Sequence, residues 1–502
     1  MDLLRTLALV REEFSATTRI EVDAQLVVQI INNLMSANAC ADWLANLGCQ
    51  LESYQDLNIS HLHLILKDSS LPLVPLMVIL WDCKASPLDI VFGCMSPYKL
   101  KVIHQNGQCS SQARQDNTSH VELLRWDQAR VDYIHRRAAK ATAILNASGG
   151  SLFAGVPVNI GIALNTDHYI IKIGLGTPTT SFSFVFDTGS DLTWTQCLPC
   201  INCYDQKDPF YDPTQSSSFD NIPCNSEYCV KLNHFGCSST STCLYHEEYE
   251  DDSYTNGSFI QDNLKFSSNI IQNFSFGCGH NNSGEFGQVD GLLGLGRGDL
   301  SIISQTAQLY NKVFSYCLPS GPNKIGFLEL GSSVPSVNYT PMLSNPNLPS
   351  WYFLKLIAIS IGGTRLPLSS TVFTGPGTML DSGTVITHLP PTAYFALRNI
   401  FQQYMKRYPT APPLNNLDTC YNLTNYEKVS VPSIVLIFDQ VTVNLDFMGI
   451  VYIASNSQVC LAFAANYDDD EIVVIGNTQQ RRYIIVYDLR KSKIGFRANG
   501  CS

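Results

Sequence analysis

Short apolar runs separated by turn-forming residues cover most of the second two-thirds of the chain. Examples are Tyr169–Leu175, Phe182–Phe186, Ile434–Phe438 and Ile472–Ile475, with Gly, Pro, Asn and Asp between the runs. Runs of this length that are rich in β-branched and aromatic residues predict strands. The pattern therefore predicts an all-β protein with few helices.

Helical spacing of apolar residues is confined to a few segments. Thr392–Tyr408 repeats apolar residues at helical intervals until Pro409 ends the run, and Ser301–Tyr310 is a shorter example. Upstream, the run Ser119–Val131 has the same spacing and continues into Ile134–Arg137. These segments predict α-helices.

The composition describes a globular protein with a large core. The chain has 502 residues, of which 45% are hydrophobic and 15% charged, and its formal net charge is −11. An acidic balance argues against nucleic acid or an anionic membrane as the partner of the main domain. The apolar run Leu71–Trp81 resembles the core of a signal peptide but is too short to span a bilayer.

A duplicated pattern is the strongest functional signal. Val185–Ser190 and Met379–Thr384 each consist of two apolar residues, Asp, a hydroxyl residue, Gly and a second hydroxyl residue. Each is followed later by two apolar residues and a Gly, at Leu292–Gly294 and Val474–Gly476. This duplication predicts two lobes, each of which contributes one carboxylate to a pair at their seam.

The paired carboxylates would belong to Asp187 and Asp381. Two aspartates held about 3 Å apart cannot both ionise, so they share a proton, and one can act as base while the other acts as acid. Such a pair activates a water molecule without a metal or other cofactor. The predicted chemistry is hydrolysis by this activated water molecule.

These segments resemble the pepsin-like aspartic proteases, and more closely their plant nepenthesin-like branch, from about Asp167 to Ser502. The residues that carry the resemblance are Phe186–Trp194, Gly291–Arg297, Phe314–Pro319, Leu380–Thr387, Gly495–Phe496 and Asn499–Cys501. The resemblance implies a bilobal fold with lobes at 167–345 and 346–502. It also implies a monomeric endopeptidase that acts on proteins or peptides and needs no cofactor.

The resemblance assigns roles around the dyad of Asp187 and Asp381. Gly189 and Gly383 would let the backbone turn and donate to the carboxylates. Thr188 and Ser382 would reach across the seam to the opposite lobe, and Ser190 and Thr384 would hydrogen-bond the outer carboxylate oxygens.

The flap departs from the family pattern. Tyr249 falls at the position of the flap tyrosine, and Trp194 matches the family tryptophan that donates to it, although a purely core role for Trp194 is an equal alternative. The usual glycine after the tyrosine is Glu250, and Asp252 adds a further charge. We expect activity that is retained but weakened or altered in specificity.

Cysteine usage predicts an oxidising compartment. Of 17 cysteines, five lie upstream of the protease-like part, and the even remainder are Cys197, Cys200, Cys203, Cys224, Cys229, Cys237, Cys243, Cys278, Cys317, Cys420, Cys460 and Cys501. The cluster at Cys197–Cys203 could bind zinc, but the even count and the Pro, Ser and Asn neighbours favour disulfides. The resemblance implies a Cys-rich insert at 197–243 and a Cys420–Cys460 disulfide.

Asn-linked glycosylation sequons begin at Asn256, Asn273, Asn281, Asn338 and Asn422.

Residues 99–166 resemble the family's propeptide and linker. Several basic residues of the predicted helix could pair with cleft carboxylates near neutral pH and release them in acid; these are Arg125, Arg130, Arg136, Arg137 and Lys140. A generic amphipathic helix is the alternative. Maturation would fall within Asn146–Asp167.

The N-terminal region has a different resemblance. Ile20–Val28 and Asn38–Ala45 resemble part of a plant ribonuclease H-like domain, with Asp23 and Asp42 at two metal-binding positions. Two carboxylates cannot assemble a two-metal site, so we interpret residues 1–55 as a truncated, non-functional fragment and 56–98 as an unassigned linker.

Three functions follow from these observations. The first is an acid-active aspartic endopeptidase made as a zymogen, whose partners are its substrates and its own propeptide. The second is a catalytically weak or silent protein-binding or inhibitor protein on the same fold, and the third, more remote, is a nucleic-acid hydrolase led by the N-terminal fragment. We expect a secretory location, in the extracellular space or in a vacuole or plastid, although Met1–Val10 is followed directly by Arg11-Glu12-Glu13 and forms no clear signal peptide.

Overall fold

Strands dominate the described part of the chain. The computed structural model describes residues 99–104, 120–147, 169–248, 254–284, 288–320, 325–331, 334–369, 371–375 and 377–501. All of these residues belong to one compact unit. The ribonuclease H-like segment, the apolar run 71–81 and the flap residues Tyr249, Glu250 and Asp252 lie outside the described residues.

The strands up to residue 341 build most of one large sheet. They are β1 Lys99–His104, β2 Tyr169–Leu175, β3 Thr180–Asp187, β4 Trp194–Gln196, β5 Asp220–Asn221, β6 Phe235–Cys237, β7 Cys243–Glu248, β8 Tyr254–Phe266, β9 Asn269–Ser283, β10 Gly291–Gly294, β11 Val313–Cys317, β12 Ile325–Leu330 and β13 Asn338–Pro341. In this 15-stranded sheet the last two strands of the chain, β27 and β28, lie between β13 and β11.

The later strands form three smaller sheets besides that pair. They are β14 Phe353–Leu354, β15 Leu356–Ile361, β16 Thr364–Arg365, β17 Thr378–Leu380, β18 Thr387–Leu389, β19 Thr410–Ala411, β20 Cys420–Tyr421, β21 Ile434–Phe438, β22 Val441–Asn444, β23 Val451–Ser455, β24 Gln458–Leu461, β25 Phe463–Ala465, β26 Val473–Ile475, β27 Ile484–Asp488 and β28 Lys493–Arg497. The smaller sheets have the orders β14-β17-β26-β18-β25, β16-β15-β21-β22 and β19-β20-β24-β23.

Helices are few, as the sequence predicted. The α-helices of the described residues are α1 His120–Ala147, α2 Ile302–Gln305, α3 Ala307–Tyr310, α4 Pro391–Met405, α5 Phe447–Ile450 and α6 Asn477–Gln480. Short 3₁₀ turns cover Pro213–Gln215 and Cys229–Lys231. The prediction of an all-β fold with few helices is confirmed.

Two predicted helices differ in their bounds from those observed. α4 ends at Met405 rather than Tyr408, because the chain closes a turn in which the Tyr408 N–H donates to the Met405 carbonyl at 2.9 Å. The predicted helix Ser301–Tyr310 is split into α2 and α3 at Thr306, whose φ of −103° and ψ of 15° leave helical geometry. The Thr306 hydroxyl donates to the Ile302 carbonyl at 2.6 Å, which shows how a threonine competes for the helical backbone.

The duplicated sequence pattern appears as a duplicated strand pairing. β10 runs parallel to β3 and places Gly294 opposite Asp187, and β26 runs parallel to β17 and places Ile475 opposite Leu380. In each half, the later apolar-apolar-Gly element therefore supports the strand that leads to the aspartate. The Leu295 N–H donates to the Asp187 carbonyl at 2.8 Å, and the Asp381 N–H donates to the Ile475 carbonyl at 3.2 Å.

The twelve cysteines at 197–501 form six disulfides. They are Cys197–Cys278, Cys200–Cys203, Cys224–Cys237, Cys229–Cys243, Cys317–Cys501 and Cys420–Cys460. Cys420 and Cys460 pair as the resemblance implied, and the cluster at Cys197–Cys203 is taken up by two disulfides rather than by zinc. The bonds tie the Cys-rich insert to the sheet and the end of the chain to β11.

α1 is deeply packed for a helix that lies upstream of both lobes. Leu124, Val131 and Ile134 are each at most 2% exposed. Leu124 packs against second-lobe residues that include Val385, whereas Val131 and Ile134 join the cluster that contains Trp194. Burial of an apolar side chain contributes roughly 1.5–3 kcal/mol, so these contacts hold the helix firmly. β1 is likewise integrated, because it pairs antiparallel with both β12 and β2.

Candidate active site

The two aspartates of the duplicated pattern meet a single arginine. Asp187 ends β3 and Asp381 directly follows β17, and both are at most 1% exposed. Arg130 Nη2 donates to Asp187 Oδ1 at 2.8 Å and to Asp381 Oδ1 at 2.9 Å. Arg130 Nε donates to Asp381 Oδ2 at 2.8 Å. One guanidinium nitrogen therefore bridges the Oδ1 atoms of the two carboxylates.

Glycine gives the loops after each aspartate the room that this geometry needs. The Gly189 N–H donates to Asp187 Oδ1 at 3.0 Å, and the Gly383 N–H donates to Asp381 Oδ1 at 3.1 Å. A Cβ atom at Gly383 would lie 2.4 Å from Arg130 Nη2, closer than real contacts allow. A side chain at this position would fill the space in front of the dyad.

Thr188 and Ser382 join the two loops across the seam. The Ser382 N–H donates to Thr188 Oγ1 at 3.0 Å, and the Thr188 N–H donates to Ser382 Oγ at 3.2 Å. Their hydroxyl oxygens are 3.3 Å apart. This reciprocal arrangement has the geometry that the resemblance implied for these two residues.

The two outer hydroxyl residues are not equivalent. Thr384 Oγ1 donates to Asp381 Oδ2 at 2.5 Å, as expected. Within the described residues, neither the Ser190 hydroxyl nor Asp187 Oδ2 has a hydrogen-bond partner, although Ser190 is near enough to lower the pKa of Asp187. Ser190 therefore lies beside Asp187, as the resemblance implied, and differs from Thr384 in that its hydroxyl makes no close hydrogen bond to the carboxylate.

The pKa values of the two aspartates shift in opposite directions. Burial raises the pKa of Asp187, and Arg130 offsets only part of this effect. Burial also acts to raise the pKa of Asp381, but the charge and hydrogen bonds of Arg130, with those of Thr384 and Gly383, lower it below its ordinary value. The pair is thus set up so that one carboxyl ionises more readily than the other.

Among the predicted basic residues whose side chains the structure describes, Arg130 is the one that reaches the dyad. Arg137, two helical turns further along the same face, is also buried and lies over the Trp351 ring, 4.7 Å from its centroid. Arg125 and Arg136 are exposed, because their positions lie on other faces of α1. The side chain of Lys140 lies outside the described residues.

Asp127 is a site residue that the sequence reasoning missed. It lies one turn before Arg130 on α1, and its carboxylate accepts hydrogen bonds from the backbone N–H groups of Val385 at 2.6 Å and Ile386 at 3.0 Å. Burial raises the pKa of Asp127 to about 7, although these N–H groups act to lower it. The signal in the sequence was its spacing of three from Arg130, which puts the two side chains on one helix face.

The remaining predicted site residues are only partly described. Trp194 lies fully buried in β4 and belongs to the same buried hydrophobic cluster as Val131 and Ile134 of α1 and Tyr245. Its expected contact with Tyr249 lies outside the described residues. In the part of the chain that the structure describes, no group of three or more His, Cys, Asp or Glu residues could hold a metal ion. None of the described helices is long and apolar enough to cross a membrane.

Comparison with known proteins agrees with this geometry. The family model described as xylanase inhibitor N-terminal matches residues 169–332, and the one described as xylanase inhibitor C-terminal matches residues 351–498. An aspartyl protease family protein of Arabidopsis thaliana is 44% identical over 414 residues, which cover 80% of this chain and 87% of that relative. Aspartic proteinase nepenthesin-1 of Nepenthes gracilis is 34% identical over 381 residues, which cover 73% of this chain and 84% of that relative.

Solved structures share the fold at lower identity. The crystal structure titled edgp has a TM-score of 0.56 at 20% identity and covers 66% of this chain and 92% of its own. Basic 7S globulin from soybean has a TM-score of 0.54 at 19% identity and covers 66% and 93%. The ribonuclease H-like resemblance at 18–50 receives no support from these matches. The family models, the relatives and the fold together show that the chain belongs to the pepsin-like aspartic proteases, in their plant nepenthesin-like branch.

Proposed function

We propose that the protein is an acid-active aspartic endopeptidase made as a zymogen, in which α1 blocks the active site. The observation that carries the proposal is the bridging of Asp187 and Asp381 by one nitrogen of Arg130. Two buried carboxylates from the two halves of a duplicated fold lie close enough to share one donor. The same two atoms could hold a water molecule once the guanidinium leaves.

The chemistry of the freed dyad follows from its surroundings. With Arg130 absent, the two carboxyls would share a proton, because like charges in a buried site cannot both persist. The ionised partner would take a proton from the water as it attacks the peptide carbonyl, and the protonated partner would donate to the resulting gem-diol. Thr188 and Ser382 would keep the two loops in register through these steps. No covalent intermediate and no cofactor are required.

The zymogen part of the proposal rests on three contacts of α1. Arg130 occupies the dyad, Asp127 occupies the N–H groups of Val385 and Ile386, and Arg137 packs on Trp351. A helix cannot be cleaved in this position, because the substrate backbone must be extended so that the carbonyl of the bond to be cleaved faces the dyad. Activation would require α1 to leave and the chain to be cut between 146 and 167. The six disulfides support a secretory location for this maturation.

A silent binding protein is the second candidate. Both matching family models are described as xylanase inhibitors, and two of the solved structures with this fold are titled as basic 7S globulins. The flap, with Glu250 and Asp252 at its usual permissive positions, adds to the case. The two intact aspartates, which are close enough to share the Arg130 donor, argue against a silent binding protein.

A proteolysis assay on the full chain separates the two candidates. The 502-residue chain would be expressed through an oxidising secretory route, acidified, and assayed from pH 2 to 7 on a denatured protein with and without pepstatin. We expect acid-dependent, pepstatin-sensitive cleavage that falls by about a thousandfold or more in Asp187→Asn. A folded, acid-treated protein that cleaves nothing at any pH, with α1 shown to be released, would instead favour the binding protein.

A further inference from the structure

A buried glutamine holds the backbone of the loop that carries the second aspartate. Gln480, at the end of α6, is 2% exposed, and its Nε2 donates to the Asp381 carbonyl at 2.9 Å and to the Ile475 carbonyl at 2.9 Å. Carbonyl oxygens only accept, so the amide nitrogen must face both of them and the amide oxygen must face a different partner. Gln480 therefore ties the Asp381 backbone to the end of β26.

α6 makes two further contacts with the same loop. The Asn477 N–H donates to the Thr384 carbonyl at 2.6 Å, and Asn477 Nδ2 donates to the Ser382 carbonyl at 3.3 Å. Asn477 is itself fully buried. This short helix thus supplies donors to three carbonyls of the loop from Asp381 to Thr384.

Two tyrosines continue the contacts from the Gln480 amide oxygen towards Thr188. The Tyr316 hydroxyl donates to Gln480 Oε1, with 2.6 Å between the two oxygens. The hydroxyl oxygens of Tyr316 and Tyr487 are 3.1 Å apart. Both tyrosines are fully buried, and they lie on β11 and β27, neighbouring strands that come from the two halves of the chain.

The order of donors along these side chains has one solution. An amide oxygen carries no hydrogen, so Tyr316 must be the donor to Gln480. Each phenol has a single hydrogen, so the Tyr316 oxygen accepts from Tyr487, and the Tyr487 oxygen is left as an acceptor. Burial raises the pKa of Tyr487, and the Tyr316 and Thr188 hydroxyls lie close enough to act against this rise. The hydrogen-bond chain thus runs from the loop of the first aspartate to the backbone of the second.

Ring packing leaves the two phenols little room to turn away. The Tyr487 ring stacks on Phe314 with centroids 4.4 Å apart and meets the Tyr352 ring edge-on at 4.5 Å. The Tyr316 ring lies 5.6 Å from the ring of Phe186, the residue before the first aspartate. Close packing on several sides holds a side chain in one rotamer, so the hydroxyls keep their places in the chain.

We propose that Gln480, Tyr316 and Tyr487 are positioning residues that hold the two aspartate loops in register through this directed hydrogen-bond chain. The inference rests on the proposed function and adds residues that act through the two aspartates. The hydroxyl contacts across the seam join the loops directly, and the chain joins them a second time through the sheet. Water activation needs both carboxylates in place at once, and small displacements of reacting groups cost much of the rate.

A break in the chain should slow catalysis without weakening substrate binding. Tyr316→Phe keeps the ring and Gln480→Met keeps the side-chain length, and each interrupts the chain. With the full chain after acid release, kcat should fall about tenfold in each variant and KM for one fluorogenic peptide should not change, the size expected for one buried hydrogen bond. The double variant should be no slower than Gln480→Met, because either change alone already interrupts the chain.

Tyr483→Phe is the matched control. Tyr483 is also buried, and its hydroxyl donates to the Asn444 carbonyl at 2.7 Å, outside the chain. This variant should lose comparable thermal stability but keep its kcat, so a merely structural effect would appear in both tyrosine variants. If Gln480→Met does not fold, Tyr487→Phe takes its place, alone and combined with Tyr316→Phe.

Hydrogen–deuterium exchange separates failure of this inference from failure of the proposed function. The backbone amides of residues 379–387 would be followed at pH 7 in the full chain, where no cleavage is needed. Faster exchange in Tyr316→Phe than in Tyr483→Phe, together with no cleavage by the unmodified protein, would support the chain and overturn the protease. Cleavage with an unchanged kcat in Tyr316→Phe, a kcat loss matched by Tyr483→Phe, a raised KM, or losses that add in the double variant would overturn the positioning role and leave the protease standing. Unchanged exchange with no cleavage would overturn both.

Discussion

The Asp127 carboxylate accepts a hydrogen bond from the Val385 N–H at 2.6 Å, four residues after Asp381. This contact joins the upstream helix to the loop that follows the second aspartate. With Arg130 one turn further along, α1 binds a backbone donor and a carboxylate pair on neighbouring parts of the cleft. The helix thus pairs the carboxylate of Asp127 with backbone N–H groups and the guanidinium of Arg130 with the two catalytic carboxylates.

Removal of Arg130 should loosen α1. Arg130→Met leaves two buried carboxylates without their cation, and breaking a buried pair in this way costs about 3–5 kcal/mol. We expect hydrogen–deuterium exchange in residues 120–147 to become markedly faster at pH 7. Arg125→Met, on the exposed side of the same helix, should leave exchange unchanged. Equal protection in both variants would show that apolar packing alone holds α1.

The pH of helix release should depend on Asp127. Burial raises its pKa from an ordinary 3.8 to about 7, so the contribution of Asp127 to docking is complete below pH 3.8 and is lost as the pH rises through 7. This contribution opposes acid release. Asp127→Asn makes docking independent of this titration, and its amide NH2 cannot accept the second of the two backbone hydrogen bonds, so docking is weakened and release should begin at a higher pH, measured by susceptibility of α1 to an added protease.

A matched substitution on the same helix tests that assignment. Asp132 accepts a hydrogen bond from Gln128 Nε2 at 2.7 Å and is only partly buried, so Asp132→Asn should not move the release pH. A release pH that falls in Asp127→Asn would contradict the sign argued here.

His388 should make the fold sensitive to acid. It is fully buried in β18, and burial, followed by the charge of His135, lowers its pKa to about 3. A depressed histidine pKa contributes stability that is complete above 6.5 and is lost as pH falls from 6.5 towards 3. His388→Phe keeps the ring but cannot charge, so its acid-induced unfolding, followed by near-ultraviolet circular dichroism, should have a lower midpoint. An unchanged midpoint would mean that other groups govern acid unfolding.

The disulfides should differ in their contribution to stability. Cys317–Cys501 joins residues 184 apart in sequence, whereas Cys200–Cys203 joins residues 3 apart. Because a longer closed loop restricts the unfolded chain more, the double variant Cys317→Ala with Cys501→Ala should lose about 2–5 kcal/mol. The double variant Cys200→Ala with Cys203→Ala should lose clearly less, as measured by thermal unfolding of both beside the unmodified chain.

Local and repeated sequence patterns predicted many of the strands and the central residues of the candidate site. The strands Tyr169–Leu175 and Ile434–Phe438 have the predicted bounds, because bounded apolar runs leave the backbone few alternatives. The duplicated Asp-hydroxyl-Gly pattern identified Asp187 and Asp381 as a pair, because two copies of one sequence pattern are expected to fold into two equivalent loops. The list of basic residues on α1 included Arg130 for the same local reason, its place on an amphipathic helix.

Tertiary structure alone decided which of those residues meet. Arg125, Arg130 and Arg136 are alike as residues of a helix, and only the docking of α1 in the cleft buries Arg130 against both aspartates while the other two stay exposed. The same docking gave Asp127 its partners Val385 and Ile386, more than 250 residues away. Contacts at such separations depend on how whole elements pack, and the spacing of residues within one element holds no information about them.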